Sequence, residues 1–233
     1  MIRLFLACSL FLGLHLGVAG TPLRGRIVAR TGENAYRGLF ALAALVSLIL
    51  ICLSYGPAFA SAGNTTLFEP PQGWRNMALP VVGFAFLLGM PGFLMANPTS
   101  AGQEGATLYG MQRITRHPFL WGAAIWAAFH LTASGDLAST ILFVTFLILP
   151  LAGTKSIDSR ARIRLGDAGW NQLAGASSNL PFAAIVTGKT RFIFREICDW
   201  RLAVSIAILL MWLYFHAKIF GITPFPNGWM PSF

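Results

Sequence analysis

Charged residues and cysteines are both scarce in this sequence. Only 11% of its 233 residues are charged, whereas 55% are hydrophobic, and so little charge cannot cover the surface of a soluble globular domain. The three cysteines, Cys8, Cys52 and Cys198, fall in two apolar windows and one basic segment, so no pair would share an oxidising compartment and a disulfide framework is excluded. A nucleotide-binding loop, a zinc-spaced Cys/His cluster and a Ser-His-Asp order are also missing, which leaves soluble-enzyme chemistry without support.

What the chain has instead is a series of long apolar windows. They cover residues 2–20, 36–56, 76–96, 117–133, 135–153 and 202–222, and most approach the roughly 20 residues that a helix needs to cross the hydrocarbon core. The sequence therefore predicts an all-α fold, a polytopic membrane helix bundle of about six transmembrane helices in one domain over residues 1–233. We expect the first window to be retained as a span rather than cleaved as a signal peptide, because His15 interrupts it and a basic cluster follows.

The fourth and fifth windows are joined very tightly. Only Ser134, Gly135 and Asp136 stand at their junction, so these windows should form an antiparallel hairpin. An aspartate at the first residue before a helix commonly accepts a hydrogen bond from the first turn. Asp136 is therefore predicted to be the N-cap of the fifth helix.

The basic residues indicate how the chain is oriented in the membrane. All except Arg3, Arg75 and Lys218 follow the first window, follow the third window or lie between residues 154 and 201. Because short loops rich in Lys and Arg stay cytoplasmic, we expect both termini on the outer side. The mixed basic and apolar pattern of residues 154–201 predicts cytoplasmic interfacial helices. The net charge of +9 is then matched by anionic lipid headgroups of the bilayer and needs no nucleic acid.

Histidines are the main candidates for chemistry within the apolar windows. Burying an unpaired ionisable side chain in lipid is unfavourable, so such residues mark functional sites. His130 lies one turn after Trp126, and a neutral imidazole in these surroundings suits axial ligation of haem iron. The alternative for each histidine is a neutral ring bonded to a neighbouring helix, and this alternative is strongest for His216 at the outer end of the sixth window.

A second candidate site lies where the fourth window begins. Arg113, Arg116 and His117 precede Pro118, which suits the first position of a helix. Three cations near a helix N-terminus suit an anionic group, whereas the alternative is an interfacial histidine that only starts the helix. At 100° per residue His117 and His130 lie about 140° apart around that helix, so they should not bind one ligand from one face.

Together these residues form an ordered set that resembles a known family. The set comprises Leu14-His15-Leu16, Arg26 to Arg37 with Gly32-Glu33 and Tyr36-Arg37, Arg116-His117-Pro118, Gly122, Trp126, His130-Leu131, Gly135-Asp136, Asp158, Arg160, Gly166 and Trp170. Over most of the chain it resembles the NnrU family of bacterial membrane proteins. The resemblance implies a multi-pass protein of the bacterial inner membrane that is associated with nitrite and nitric oxide metabolism, so the outer side expected for both termini is the periplasm.

The NnrU family is itself similar to the 15-cis-zeta-carotene isomerases, which are membrane enzymes that bind haem b through histidines. Carried over by motif, this similarity implies that His15 and His130 are the haem ligands and that the substrate is a lipid-soluble small molecule. The isomerases have a cysteine three residues before the second ligand, and this chain has Ala127 there. Counted from the inner boundary, His15 and His130 differ in depth by roughly 12 Å, and His216 matches His130 better, so His216 is an alternative ligand.

Two further functions stay open at this point. The Arg-His-Pro entry, Gly122 and Trp126 also resemble the isoprenylcysteine carboxyl methyltransferases. That resemblance implies that Arg116 and His117 hold S-adenosylmethionine under a lid formed by residues 154–201. The paired glutamates of those enzymes are absent, however, and this chain has Asp158 and Arg160 in their place. The other alternative is a non-enzymatic accessory protein that supports a nitrogen-oxide reductase partner.

Overall fold

The computed structural model of the protein describes residues 1–71 and 73–225. Its α-helices are α1 (Ile2–Leu12), α2 (Leu23–Thr31), α3 (Glu33–Phe59), α4 (Ala78–Phe93), α5 (Met111–Ile114), α6 (Pro118–Ser134), α7 (Leu137–Ala176), α8 (Ala183–Val186), α9 (Phe194–Ile197) and α10 (Trp200–Phe220). A π-helical segment, Gly13–Ala19, continues α1, and a 3-10 turn, Trp74–Met77, leads into α4. Within the described ranges no β-strand forms, so the predicted all-α fold is confirmed.

Five stretches of the described chain are long and apolar enough to cross a membrane. They are Ile2–Ala19, Glu33–Phe59, Trp74–Phe93, Leu137–Ala176 and Trp200–Phe220. They coincide with five of the predicted windows, and the remaining window is α6. With 17 residues, α6 is about 26 Å long at 1.5 Å per residue, slightly shorter than the hydrocarbon core of roughly 30 Å. The chain is a multi-pass membrane protein, and leucines such as Leu39, Leu42 and Leu53 on α3 stay exposed as lipid-facing residues do.

Helix α7 is much longer than the window predicted for it. Its apolar part ends at Gly153, but the helix continues through the charged residues to Ala176, with a non-helical backbone at Gly166 (φ 67°, ψ 172°). Between Lys155 and Leu165 there is no glycine or proline to stop the helix where the hydropathy changes. The predicted interfacial segment 154–201 therefore begins as a continuation of the fifth span, and α8 and α9 are single turns of four residues each.

The described chain divides into two compact units. The first unit comprises residues 1–71 and 130–153, and the second comprises residues 73–129 and 154–225. Leu4, Cys8 and Phe11 of α1 recur at the spacing of one helix face and form the core of the first unit with Ile51 and Ala138. A smaller core in the second unit gathers three buried residues, Leu88, Met111 and Ile114.

The turn between α6 and α7 confirms the predicted cap. The Asp136 carboxylate accepts a hydrogen bond of 2.9 Å from the backbone N–H of Ser139, which is how an N-cap satisfies the first turn of a helix. Gly135 has a φ of 80°, a left-handed conformation that glycine adopts without strain. Its carbonyl accepts from the N–H of Leu67 at 2.8 Å, and Leu137 N–H donates to Thr65 at 3.0 Å, so the segment around Thr65 fixes this turn within the first unit.

Small residues bring α6 close to α4 within the second unit. A Cβ added to Gly122 would lie 2.5 Å from the carbonyl oxygen of Ala85 and 2.7 Å from Cα of Gly89. Real Cβ atoms do not approach a neighbouring backbone so closely, and two helices reach this separation only where side chains are absent. This contact seats the start of α6, which His117 directly precedes, against the C-terminal half of α4.

Candidate functional site

His15 lies in the π-helical continuation of α1. Its Nδ1 atom is 2.8 Å from the backbone oxygen of Phe11, and because a carbonyl oxygen can only accept, Nδ1 carries the proton of this hydrogen bond. In the neutral imidazole Nε2 then keeps its lone pair. Metal-ligating histidines are commonly oriented by such a bond from the other ring nitrogen, and π-helical turns occur frequently at functional sites. His15 therefore presents a nitrogen that can bind a metal.

Aromatic rings surround this imidazole. The His15 ring centroid lies 4.3 Å from that of Phe11 and 5.2 Å from that of Phe40, which it meets edge to face. Phe40 in turn stacks on Tyr36, one turn earlier on α3, with centroids 5.8 Å apart. His15 itself is half-buried. The surroundings of this imidazole are therefore aromatic.

His130, near the end of α6, belongs to the same unit as His15. It is half-buried, and its ring centroid is 5.0 Å from that of Phe143 on α7. The ring centroid of Phe146, three residues further along α7, lies 5.6 Å from that of Phe11. The backbone oxygen of Phe11 accepts the hydrogen bond from His15. The structure thus places both predicted ligands in the first unit, against aromatic residues of α1 and α7.

His216, the alternative ligand, lies in the second unit. Its Nδ1 atom is 2.8 Å from the backbone oxygen of Ile222, and its ring centroid is 4.9 Å from that of Phe220. This histidine therefore bonds the carbonyl of a residue just after its own helix, where such a contact satisfies the helix end. Its role as a haem ligand stays a prediction.

The second candidate site is a polar cluster around Asp158, in the charged part of α7. Arg116 binds the carboxylate with two hydrogen bonds, Nε to Oδ1 at 2.8 Å and Nη2 to Oδ2 at 2.6 Å. His117 Nε2 lies 2.7 Å from Oδ1, and Asn179 Nδ2 donates to Oδ2 at 3.2 Å. The side chains of Arg116, His117 and Asp158 are only 10%, 2% and 15% exposed, so this is a nearly buried ion cluster.

The electrostatics of the cluster keep Asp158 ionised. Burial raises the pKa of its carboxyl, but hydrogen bonds and charges from Arg116 and His117 outweigh burial and lower the pKa to about 2. The guanidinium carbon of Arg116 also lies 5.2 Å from the ring centroid of Trp170, a cation–π contact. Trp121 Nε1 donates to the side-chain oxygen of Asn179 at 3.1 Å. The cluster thus joins α6, α7 and the segment after α7 within the second unit.

Arg113 pairs with a different carboxylate. Its Nε and Nη2 atoms donate to Glu196 at 2.6 Å and 2.8 Å, and the backbone N–H of Gly110 donates to the same carboxylate at 2.9 Å. The hydrogen bond from Arg113 is the main reason why the pKa of Glu196 is lowered, and the same bond raises the pKa of Arg113. The three cations predicted to act together are therefore divided between two carboxylates of the chain itself.

Comparison with known proteins identifies a family for this chain. The family model described as NnrU protein matches residues 3–224. The chain belongs to the NnrU family. This NnrU chain is also 30% identical, over 206 residues, to the chloroplastic 15-cis-zeta-carotene isomerase of Zea mays. The match covers 82% of the chain and 52% of the isomerase, so the chain spans about half the length of this curated relative. No solved structure matches the chain.

Several residues that shape the two sites of this NnrU chain were not among the predicted site residues. Glu196 and Asn179 complete the polar clusters, and Tyr36 stacks behind His15. One signal could have found the carboxylates, because the sequence has 8 acidic residues against 17 basic ones. An acid within so basic a segment is expected to pair. No sequence signal identifies Asn179 or the partner of each acid, since these contacts join residues distant in the chain.

Proposed function

We propose that this NnrU chain is an isomerase-like membrane enzyme that holds haem b through His15 and His130 and acts on a lipid-soluble polyene. The observation that carries the proposal is the bond from His15 Nδ1 to Phe11, which leaves Nε2 as a ligand atom. The name of the Zea mays relative supports isomerisation of a carotene as the type of reaction.

The residues present suit haem by their donor chemistry. Axial haem ligation needs one or two donor side chains, and neutral imidazoles are the commonest. A site for a bare metal ion usually needs more ligands, and within residues 1–71 and 73–225 no group of three or more His, Cys, Asp or Glu residues is placed to hold one. The rings of Phe11, Phe40 and Phe143 lie within 4.3 to 5.2 Å of the two histidine rings, and such apolar neighbours suit a porphyrin.

Haem, when bound, would supply a redox-active iron close to a conjugated double bond of the substrate. The chain's own part is binding, orientation and exclusion of water. Phe11 holds the His15 ring in one orientation through its carbonyl, and the aromatic residues around both histidines offer a dry surface to a hydrocarbon. Such a substrate dissolves in the bilayer and can reach the protein laterally, between helices whose outer faces are apolar.

Absorption spectra of the detergent-purified protein, expressed with haem supply, test this proposal. We expect a Soret band that shifts on reduction by dithionite, and we expect His15→Ala and His130→Ala each to weaken or displace it. His216→Ala is the matched control, because that histidine bonds Ile222 in the other unit, and its spectrum should equal that of the wild type. Absence of a Soret band in the wild type would overturn the haem proposal, and loss of the band in His216→Ala alone would reassign the ligand.

The other functions expected from the sequence stay predictions. A role with S-adenosylmethionine requires the cofactor to compete with Asp158 for Arg116 and His117. A role in nitrite and nitric oxide metabolism, with or without a reductase partner, rests on the association of the family. Placement in a bacterial inner membrane rests on the resemblance to the family, and the periplasmic position of both termini rests on the distribution of Lys and Arg.

A further inference from the structure

Tyr36 carries a buried hydroxyl group for which the structure shows no partner. The residue is 6% exposed, and among the described residues its hydroxyl is the buried side-chain polar atom without a hydrogen bond. Buried hydroxyls in folded proteins are almost always bonded, because an unsatisfied one retains the full penalty of leaving water. A buried donor of this kind points to a partner that belongs to the working protein, such as a bound ligand.

The position of Tyr36 connects this hydroxyl to the histidine site. Its ring stacks on Phe40 at 5.8 Å, and Phe40 meets His15 edge to face at 5.2 Å. Tyr36 lies in the first turn of α3, whose unpaired N–H groups form the positive end of the helix. The phenol therefore stands at the polar end of a row of aromatic rings that begins at the proposed ligand His15.

Positive charge is in excess beside this phenol. The guanidinium carbon of Arg24 lies 5.2 Å from the Tyr36 ring centroid. Arg24 Nη2 and Arg37 Nε both donate to one oxygen of Glu33, at 2.6 Å and 2.9 Å, so two guanidinium groups share a single carboxylate. Arg26 and Arg30 add further charge on α2. This surface favours a second anionic group near the Tyr36 hydroxyl.

We propose that Tyr36 donates a hydrogen bond to a carboxylate of the ligand bound beside His15, with Arg24 supplying the counter-charge. This inference rests on the proposed function, in which the ligand is haem b. The propionate side chains of haem b carry such carboxylates. A hydrocarbon polyene has no oxygen to accept the bond, so the partner is the cofactor rather than the substrate. Tyr36 is a positioning residue that sets how the porphyrin sits against the aromatic row.

Titration of the purified full-length chain with haem b tests the inference. In Tyr36→Phe we expect the dissociation constant for haem to rise about tenfold, the loss typical of a hydrogen bond to a charged group. Iron octaethylporphyrin, whose peripheral groups contain no oxygen, should bind the wild type and Tyr36→Phe with equal affinity. Tyr55→Phe is the matched control, since the Tyr55 hydroxyl already bonds Ser139 at 2.9 Å in the same unit, and its haem affinity should not change.

The stability of the haem-free protein separates ligand binding from a structural role. Tyr36→Phe removes an unpaired polar atom and should leave the haem-free chain as stable as the wild type, whereas Tyr55→Phe should destabilise it. If the wild type binds haem and Tyr36→Phe binds it equally well, the role of Tyr36 is refuted and the proposed function stands. If the wild type binds no haem at all, both proposals fail. A tenfold loss that persists with iron octaethylporphyrin would show that Tyr36 acts on the fold and not on the carboxylate.

Discussion

Asp158 is the residue whose replacement tests the polar cluster most sharply. Asp158→Asn keeps the shape of the side chain but removes the charge that Arg116 and His117 share, and it places an N–H₂ group among their donors. Removing one partner of a buried ion pair typically destabilises a protein by about 3 to 5 kcal/mol, so we expect a loss of about 3 kcal/mol or more. Asp167→Asn is the control, because its pair with Arg162 is 60% and 79% exposed and such pairs contribute about 1 kcal/mol or less.

The pH dependence gives a second, smaller magnitude for the same residue. The folded pKa of Asp158 is about 2, against 3.8 for an unperturbed aspartate, and this difference corresponds to about 2 kcal/mol. The figure is smaller because it counts only ionisation of the carboxyl, whereas the substitution also leaves Arg116 and His117 without their acceptor. Since the folded pKa lies below the unfolded one, this stabilisation is complete above about pH 4 and is lost as the pH falls through about 2.

Unfolding by SDS in mixed dodecylmaltoside micelles, followed by far-UV circular dichroism, provides the assay. At pH 7 we expect Asp158→Asn to unfold at a clearly lower SDS fraction than both the wild type and Asp167→Asn. Between pH 4 and pH 2 the difference between wild type and Asp158→Asn should shrink. If Asp158→Asn loses no more stability than Asp167→Asn at pH 7, the cluster does not stabilise the second unit and this reasoning is refuted.

Two other predictions concern helix packing and the alternative cofactor. Gly122→Ala places a Cβ against the backbone of Ala85 and Gly89 and should destabilise the protein by about 1 to 3 kcal/mol. In the same SDS titration the control Gly83→Ala, whose added Cβ meets nothing within 4 Å, should be close to neutral. Equal effects of the two substitutions would contradict the close contact between α4 and α6. Titration with S-adenosylmethionine by calorimetry should show no saturable binding, because Asp158 already engages Arg116 and His117. Micromolar binding that is lost in Arg116→Ala would instead favour a methyltransferase.

Local features of the fold could be predicted from the sequence. Apolar windows located the long helices because hydropathy over about 20 residues is a local property. Asp136 was recognisable as a cap because an aspartate directly before an apolar run has one common role. The length of α7 was not predictable from hydropathy, since the helix continues past Gly153 on backbone hydrogen bonds that do not depend on whether lipid or water surrounds it.

The sites were harder to predict because they depend on contacts between distant residues. Arg116 and Asp158 are 42 positions apart, and Arg113 and Glu196 are 83 apart. Arg113, Arg116 and His117 are close in sequence and were therefore predicted to form one anion site. In the structure each of them faces a carboxylate that a distant part of the chain supplies. The π-helical turn around His15 and the unpaired hydroxyl of Tyr36 also have no hydropathy signature, and both emerge only when the helices are packed.

Low-temperature electron paramagnetic resonance of the ferric protein tests the central claim most directly, because it reports the number and kind of axial ligands. If His15 and His130 both bind the iron, the wild type should give a low-spin signal typical of two imidazoles, and either His15→Ala or His130→Ala should convert it to a high-spin signal. A low-spin signal that survives both substitutions, or a wild type without ferric haem after expression with haem supply, would contradict the assignment of these two histidines.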